Sequence, residues 1–292
     1  MNSAQEEDMA GRDRSIDIMQ YVERASDSFS ERPLTAVDSL VFTTLTYVKL
    51  ETIAAAEEDA GACSEPMTVR DFWKTEYYDT AFNDGIADEG NRLTMANAAG
   101  SRRFRDVAVC DIVSISDRRR SMQFAACVFE LDENTDYVNF RGTDGQLIGW
   151  REDFMLTYTS HLPCHDEAVA YIDRLYGPGG SRENRRLYIG GHSKGGHLAL
   201  YAAVMCDNSI KDRLIEVFCH DSVGFRDDVF REFRKGHRLE DIRINKTVPQ
   251  DSLIGMVMRS DMDYDVVRSN ASGGIAQHNA FTWRIEGNSR EI

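Results

Sequence analysis

The sequence predicts an α/β protein with a mainly parallel β-sheet, helices on both faces and a helical N-terminal extension. From about residue 107 onward, short apolar runs typical of strands alternate with segments of helical periodicity. Before residue 104, apolar side chains recur at helical spacing instead. No linker rich in proline, serine or glycine separates the two parts, so we expect residues 1–103 to pack on a core formed by residues 104–292.

The N-terminal segment is expected to begin as a frayed, acidic stretch and to continue as helices. Residues 16–22 give a rough helical face, which Pro33 ends. Residues 36–48 place apolar side chains at helical spacing, and Thr35 or Asp38 can cap the first turn. Aromatic side chains scattered among charges in the following segment, up to residue 100, favour short, intermittent helices.

The core elements follow in order along the rest of the chain. The charged turn at 117–120 joins two neighbouring strands, and a polar linker after the third strand leads to a helix that ends at the glycine-rich segment 177–180. Sheets of this kind place their sites at the carboxyl ends of the strands. The predicted strands span residues 107–115, 122–130, 137–140, 187–189, 215–219 and 242–245, and the predicted helices span residues 165–176, 198–203 and 227–234.

The composition argues against several classes of function. A formal net charge of −15 repels nucleic acids and anionic membrane surfaces at long range. The first residues lack the basic start and apolar stretch of a signal peptide, and no apolar run is long enough to cross a bilayer. We therefore expect a cytoplasmic protein. The six cysteines show no zinc-type spacing, so we expect no metal.

A glycine-rich sequence, Gly-His-Ser-Lys-Gly at residues 191–195, lies between a strand pattern and a helix pattern. It is typical of a nucleophile elbow, a sharp strand-to-helix turn that forces the serine into a strained conformation and needs neighbours without side chains. The elbow would present the Ser193 hydroxyl above the sheet, near the N–H groups that begin the helix. The alternative is a glycine-rich turn without chemistry.

A serine nucleophile needs a histidine base and a carboxylate that orients this base. In α/β-hydrolase sheets, the acid and then the histidine follow the serine along the chain. We predict His278 as the base because it follows a glycine-rich loop late in the chain, and His220 is the second candidate. We interpret His197 as a residue that caps or packs against the elbow helix and His237 as a surface residue.

The predicted orienting acid is Asp251, which follows the strand predicted at 242–245. Asp221, at the end of the preceding strand, is the competing candidate. The acidic run at 261–265 is interpreted as solvated charge. Its position after a late strand favours Asp251 as the orienting acid.

The negative charge of a tetrahedral intermediate requires hydrogen-bond donors, which form an oxyanion hole. One donor is normally the N–H of the residue after the nucleophile, here Lys194. We expect the second from the sequence Phe-Arg-Gly-Thr at residues 140–143, where Gly142 permits close backbone approach and Thr143 can donate. An ordinary turn at the end of a strand would also satisfy this sequence.

Several segments together resemble the class 3, fungal-type lipases of the α/β-hydrolase superfamily. They are residues 140–143, the sequence Trp-Arg-Glu-Asp at 150–153, the elbow, and the pair Asp251 and His278. More closely, the chain resembles a family of uncharacterised bacterial lipase-like proteins, over most of its length. The resemblance implies a catalytic triad of Ser193, Asp251 and His278 and an oxyanion hole lined by Thr143 and Lys194.

Two features depart from those lipases. Leucine is usual where this chain has Lys194, and the segment 143–160, in the position of their apolar lid, carries several charges. The cation at position 194 hints at a more polar acyl substrate.

We therefore predict a serine hydrolase of the esterase or lipase type that cleaves an acyl ester or thioester without a metal or organic cofactor. Its expected partner is a small acyl ester, with neither nucleic acid binding nor stable membrane insertion. The alternative is a catalytically inactive binding or scaffold protein with the same fold, which the unusual Lys194 and the acidic N-terminal part would suit.

Overall fold

A computed structural model describes residues 15–60, 66–83, 87–144, 147–236, 239–258 and 262–285. The expected frayed start, His237 and the first residue of the acidic run at 261–265 lie outside these ranges.

The described part of the chain forms a seven-stranded sheet in which each strand lies beside its neighbours in sequence. The first three strands pair antiparallel, and the third to the seventh pair parallel. This topology confirms the predicted mainly parallel sheet. The strands are β1 (Ala108–Asp117), β2 (Met122–Glu130), β3 (Thr135–Phe140), β4 (Arg186–His192), β5 (Leu214–His220), β6 (Ile244–Pro249) and β7 (Asp265–Val267).

Helices lie before, between and after these strands. In the described ranges, none is long and apolar enough to cross a membrane. The α-helices are α1 (Ile18–Arg24), α2 (Ala36–Leu45), α3 (Leu50–Asp59), α4 (Tyr78–Ala81), α5 (Asp88–Gly100), α6 (Leu147–Leu156), α7 (Pro163–Tyr176), α8 (Lys194–Met205), α9 (Asn208–Lys211) and α10 (Asp227–Phe233). Short 3-10 helices cover Val69–Phe72, Thr75–Tyr77, Leu239–Asp241, Ala276–His278 and Ala280–Thr282.

The N-terminal helices cover one face of the sheet. All residues of α2 are buried, and its Phe42 ring lies 4.4 Å from the Phe129 ring and 5.4 Å from the Tyr137 ring. The two predicted caps act together, because the Thr35 hydroxyl accepts from the Asp38 N–H while the Asp38 carboxylate accepts from the Thr35 N–H. An apolar helix with a satisfied first turn can therefore lie buried against β2 and β3.

A buried ion pair joins α2 to the segment that precedes β1. Nε and Nη2 of Arg103 each lie 2.7 Å from an Asp38 carboxylate oxygen, and both side chains are fully buried. Near the other end of the chain, Ile285 pairs with Ile16. These contacts attach the N-terminal helices to the sheet-forming chain, and the boundary at residue 103 stays a prediction.

The opposite face of the sheet is covered by α7, α8 and α10, which contribute about half of the buried apolar residues on that face. α7 begins at Pro163, slightly earlier than predicted, because a proline suits the first turn of a helix. His165 Nδ1 accepts a hydrogen bond from the Leu162 N–H and so satisfies one donor at this helix start. Helices therefore cover both faces of the sheet, whose carboxyl strand ends lie between them.

Among the elements that differ from the sequence prediction, three are decided by contacts with distant residues. β6 extends to Pro249 through parallel pairing with β5 and β7. β7 forms where solvated charge is predicted, since Asp265 pairs with Thr247 of β6. α6 forms in the predicted polar linker, where Glu152 is fully buried beside Lys194.

Candidate active site

Ser193 lies at the turn between β4, which ends at His192, and α8, which begins at Lys194. Its backbone has a φ of 57° and a ψ of −128°, a conformation that residues with side chains rarely adopt. Such strain costs on the order of 1–3 kcal/mol and persists where the surrounding structure enforces it. Ser193 is half-buried, so this strained corner is partly exposed to solvent.

Gly191 and Gly195 permit this turn because neighbouring backbone lies where their Cβ atoms would be. A Cβ atom on Gly191 would lie 2.5 Å from the Gly195 carbonyl carbon. A Cβ atom on Gly195 would lie 3.0 Å from Gly142 N and would overlap the Phe140 carbonyl oxygen. β4, α8 and the loop after β3 therefore meet backbone against backbone around Ser193, as the glycine pattern predicts.

His278 lies against a buried carboxylate at the carboxyl ends of the strands. Its Nδ1 is 2.6 Å from Oδ2 of Asp221, a fully buried residue directly after β5. The other carboxylate oxygen, Oδ1, accepts from Ser252 Oγ at 2.5 Å and from the Gly255 N–H at 3.0 Å. Because a carboxylate only accepts, the hydrogen bond assigns the proton to Nδ1 and leaves Nε2 of His278 able to accept another.

The prediction of Asp251 as the orienting acid is wrong in this geometry. Within the described residues, Asp251 makes no hydrogen bond to His278, and its Oδ2 accepts from Gln277 Nε2 at 2.8 Å. Asp221, the competing candidate, occupies the predicted place. The signal that favours it is adjacency, because β5 pairs directly with the serine-bearing β4, whereas β6 lies one strand further away.

His192, to which the sequence assigns no role, packs against His278. The two rings are tilted by 30° with centroids 4.3 Å apart, and His192 Nε2 donates to the His278 carbonyl oxygen at 2.9 Å. The Tyr47 hydroxyl lies 3.4 Å from His192 Nδ1. Burial, with a smaller contribution from His278, lowers the pKa of His192 well below its usual range. A neutral His192 therefore holds the His278 backbone beside the elbow.

The second candidate base, His220, lies away from His278 on the face covered by α2. Its Nε2 is 2.9 Å from Ser39 Oγ, and the side chain is fully buried. Burial lowers the pKa of His220 to about 3.

His197 belongs to a second hydrogen-bonded pair behind the elbow. Because His165 Nδ1 accepts from the Leu162 N–H, its Nε2 carries the proton and donates to His197 Nε2 at 2.9 Å. His197 Nδ1 then donates to the Gly224 carbonyl oxygen at 3.1 Å. Burial lowers the pKa of His165 to about 2 and that of His197 to about 4. This pair joins α7 and α8 to the loop that follows Asp221.

The loop after β3, which carries Thr143, lies directly against the elbow. A Cβ atom on Gly142 would lie 2.8 Å from the His192 carbonyl oxygen and would overlap the Tyr47 hydroxyl. Thr143 is buried next to this contact. The structure thus brings the Thr143 loop and the Lys194 N–H, at the first turn of α8, to the same turn.

The Lys194 side chain is not available to a substrate. Its ammonium group is buried, 2.7 Å from Glu152 Oε2 and 2.9 Å from the Gln123 carbonyl oxygen. Lys194 therefore gives no support to the expected polar acyl substrate, because its charge is already paired inside the protein.

In the described part of the chain, no hydrogen bond connects Ser193 with His278. Catalytic hydrogen bonds are often long without ligand and tighten when substrate binds. His278 contacts His192, the residue before Ser193, and the hydrogen bond to Asp221 fixes the orientation of its ring.

Three side chains beside the elbow form a group that could hold a metal ion. The ligand atoms of His192, Asp221 and His278 lie within 4.8 Å of one another. One N–H group of each histidine already donates a hydrogen bond within the protein, because His278 Nδ1–H donates to Asp221 and His192 Nε2–H donates to the His278 carbonyl oxygen. His278 Nε2 stays able to accept, whereas Asp221 could bind a metal ion only through an oxygen that already accepts a hydrogen bond from the protein.

We expect the free energy of unfolding to decrease as the pH falls below 6.5. Burial lowers the pKa values of His165, His192, His197 and His220, so the unfolded chain binds protons that the folded chain excludes. Below pH 6.5, each imidazole that stays neutral in the folded state lowers the free energy of unfolding by up to about 1.4 kcal/mol per pH unit. Urea unfolding between pH 7 and pH 5 measures the slope.

The variant His220→Gln should reduce that slope by up to about 1.4 kcal/mol per pH unit, because it removes one of the four buried imidazoles. A free energy of unfolding that is constant between pH 7 and pH 5 would contradict the prediction.

Residues 98–291 match the model of the Mbeg1-like family. The chain belongs to the Mbeg1-like family. The match confirms the predicted resemblance to a lipase-like family, and it spans all seven strands, the elbow, Asp221 and His278. The bacterial origin of the lipase-like relatives stays a prediction. No curated protein matches this Mbeg1-like chain.

Several solved lipase structures resemble the Mbeg1-like chain distantly. The native Rhizomucor miehei lipase propeptide complex has a TM-score of 0.45 and 11% identity, with 93% of this chain and 70% of that chain covered. A deletion mutant of that complex has a TM-score of 0.44 and 16% identity, and the match covers 61% of this chain and 59% of that one. A lipase from Rhizopus microsporus var. chinensis has a TM-score of 0.40 and 14% identity, with 71% and 82% covered. These values are too low to transfer residue roles or substrates.

Proposed function

We propose that this protein is a serine hydrolase that cleaves a small acyl ester or thioester, with Ser193 as nucleophile, His278 as base and Asp221 as orienting acid. The observation that carries the proposal is the 2.6 Å contact between His278 Nδ1 and the buried Asp221, beside a serine with a φ of 57°. A strained serine, an oriented imidazole and a buried carboxylate support a Ser-His-Asp triad.

In the proposed reaction, Ser193 Oγ attacks the acyl carbon while its proton moves to Nε2 of His278. Asp221 keeps the other proton on Nδ1 and stabilises the imidazolium that forms. The tetrahedral intermediate collapses when His278 returns the proton to the leaving oxygen or sulfur, leaving an acyl group on Ser193. A water molecule, deprotonated by His278, then attacks this acyl group and restores the serine.

The proposed oxyanion hole consists of the Lys194 N–H and a donor from Thr143. The Lys194 N–H belongs to the first turn of α8, where helix N–H groups have no partner within the helix. The Thr143 loop lies against the elbow through Gly142. Both positions therefore suit an oxygen that becomes negative on an acyl carbon attached to Ser193.

The proposed substrate is a small molecule, and the chemistry uses only side chains and water. The formal charge of −15 disfavours a polyanionic partner such as nucleic acid. A cytoplasmic setting without stable membrane insertion is part of the same proposal.

Labelling with a fluorescent fluorophosphonate, which modifies activated serines, tests the proposal. We expect wild-type protein to be labelled and Ser193→Ala to be unlabelled while its circular dichroism spectrum is unchanged. Ser222→Ala is a matched control, because Ser222 is a buried serine beside the elbow, with its Cβ only 2.8 Å from a Cβ placed on Gly196. This control should be labelled like the wild type.

Two results would contradict the proposal. Folded wild-type protein that is unlabelled, and that releases no nitrophenol from p-nitrophenyl butyrate, would favour the binding or scaffold function. Equal labelling of wild type and Ser193→Ala would assign the reactive serine to another position.

A further inference from the structure

The Lys194 side chain connects the elbow to two other elements. Its backbone begins α8, while its ammonium group lies 2.7 Å from Glu152 of α6 and 2.9 Å from the Gln123 carbonyl oxygen of β2. The side chains of Lys194 and Glu152 are 1% and 0% exposed. Lys194 thus has a main-chain N–H next to the serine and a buried side-chain charge that holds the start of α8 against α6 and β2.

Gln123 connects the same ion pair to the Thr143 loop. The Gln123 N–H donates to Glu152 Oε2 at 3.2 Å, and Gln123 Oε1 accepts from the Asp144 N–H at 3.4 Å. Asp144 follows Thr143 directly in the chain. We call Lys194, Glu152 and Gln123 the buried clamp, since these three residues contact the segments that carry both proposed oxyanion donors.

α6 also packs directly on Thr143. A Cβ atom on Gly149 would lie 2.7 Å from Thr143 Cγ2 and would overlap Gln123 Oε1. Glu152 lies about one helical turn after Gly149, so the ion pair and the close contact lie on the same face of the helix. The position of α6 therefore determines where Thr143 stands relative to the elbow.

Stability alone does not explain a buried ion pair at this place. Removing two charges from water is costly, and apolar residues of similar volume often replace a buried pair without loss of stability. A charged pair has directional hydrogen bonds that apolar side chains lack, and it therefore fixes the position of main-chain atoms more narrowly. Oxyanion donors need such accuracy, because a displacement of 1 Å can cost on the order of 100-fold in rate.

We propose that the buried clamp positions the oxyanion hole, so that Lys194 and Glu152 are positioning residues for the hydrolysis by Ser193. This inference rests on the proposed function. It gives a role to the lysine that replaces the usual leucine after the nucleophile and to the acidic residue in the expected lid segment.

The double variant Lys194→Met/Glu152→Leu tests the clamp, because it removes both charges while keeping the volume. We expect it to fold, and we expect its kcat for p-nitrophenyl butyrate to fall by about 10- to 100-fold, with KM changed by less than about threefold. The inhibition constant of butylboronic acid should rise by the same factor as kcat falls. Ser193 Oγ bonds to its boron, the serine proton passes to His278, and the resulting tetrahedral anion places an oxygen in the oxyanion hole.

Lys211→Met is the matched control, because Lys211 is also a buried lysine that donates to a main-chain carbonyl, that of Val204, away from the elbow. It should keep wild-type kcat and boronate affinity. Gly149→Ala provides an independent test that changes no charge, and it should also lower kcat by displacing α6 from Thr143.

A double variant that folds and keeps wild-type kcat and boronate affinity would overturn the clamp while leaving the proposed function intact. If the double variant fails to fold, wild-type kcat in folded Gly149→Ala would overturn it instead. Wild-type protein that is neither labelled by fluorophosphonate nor active on the ester would remove the proposed function and this inference with it.

Discussion

Asp221→Asn is expected to lower kcat by about 10⁴-fold with little change in fold. Oδ1 of Asp221 accepts from both Ser252 Oγ and the Gly255 N–H, so the amide oxygen of an asparagine would take this place. Its NH₂ group would then face His278 Nδ1, which would have to accept. The proton would move to Nε2, and His278 could no longer take the proton of Ser193. Steady-state hydrolysis of p-nitrophenyl butyrate measures the loss.

Asp251→Asn is the matched control, because Asp251 contacts Gln277 instead of His278. We expect its kcat to stay within about threefold of the wild-type value, since asparagine can still accept from the Gln277 amide. A larger loss in Asp251→Asn than in Asp221→Asn would reverse the assignment of the orienting acid.

Gly195→Ala is expected to lower the free energy of unfolding by roughly 3 kcal/mol and to slow fluorophosphonate labelling. The new Cβ atom would meet three main-chain atoms, those of Phe140, Arg141 and Gly142, and none of them can rotate away as a side chain could. β3 and α8 would have to separate at the elbow. Urea unfolding at pH 7 and the rate of labelling measure the two effects.

Gly100→Ala provides the comparison, because Gly100 also lies in a helix but has nothing within 4 Å of the position of its Cβ. Alanine is the better helix former by about 1 kcal/mol, so this variant should be as stable as the wild type or slightly more stable. If both variants lose the same free energy, close packing at the elbow is not the cause.

The sequence predicts well those features that depend on neighbouring residues. The strained serine follows from the glycines on either side of it, and the first turn of α2 follows from Thr35 and Asp38. The order of the first six strands also follows, because periodicity is a local property. His278 is found because chain order in such sheets limits the candidates, although its role in hydrolysis stays a proposal.

Asp221 and Asp251 illustrate what local patterns cannot decide. Both follow a strand and both lie at the same edge of the sheet, so the spacing along the chain suits either. The turn at 252–255 donates two hydrogen bonds to Asp221 and thereby aims this carboxylate at His278. A contact between residues that are far apart in sequence has no signal in a single chain.

By itself, the sequence determined the fold class, the strained corner at Ser193 and the late histidine, because each depends on short-range geometry or on chain order. Only the tertiary structure decided which carboxylate contacts His278. It also decided that Lys194 is buried beside Glu152 and that α6 forms. The physical reason is that a charge can be buried only beside its partner, and that partner is supplied by the packed chain.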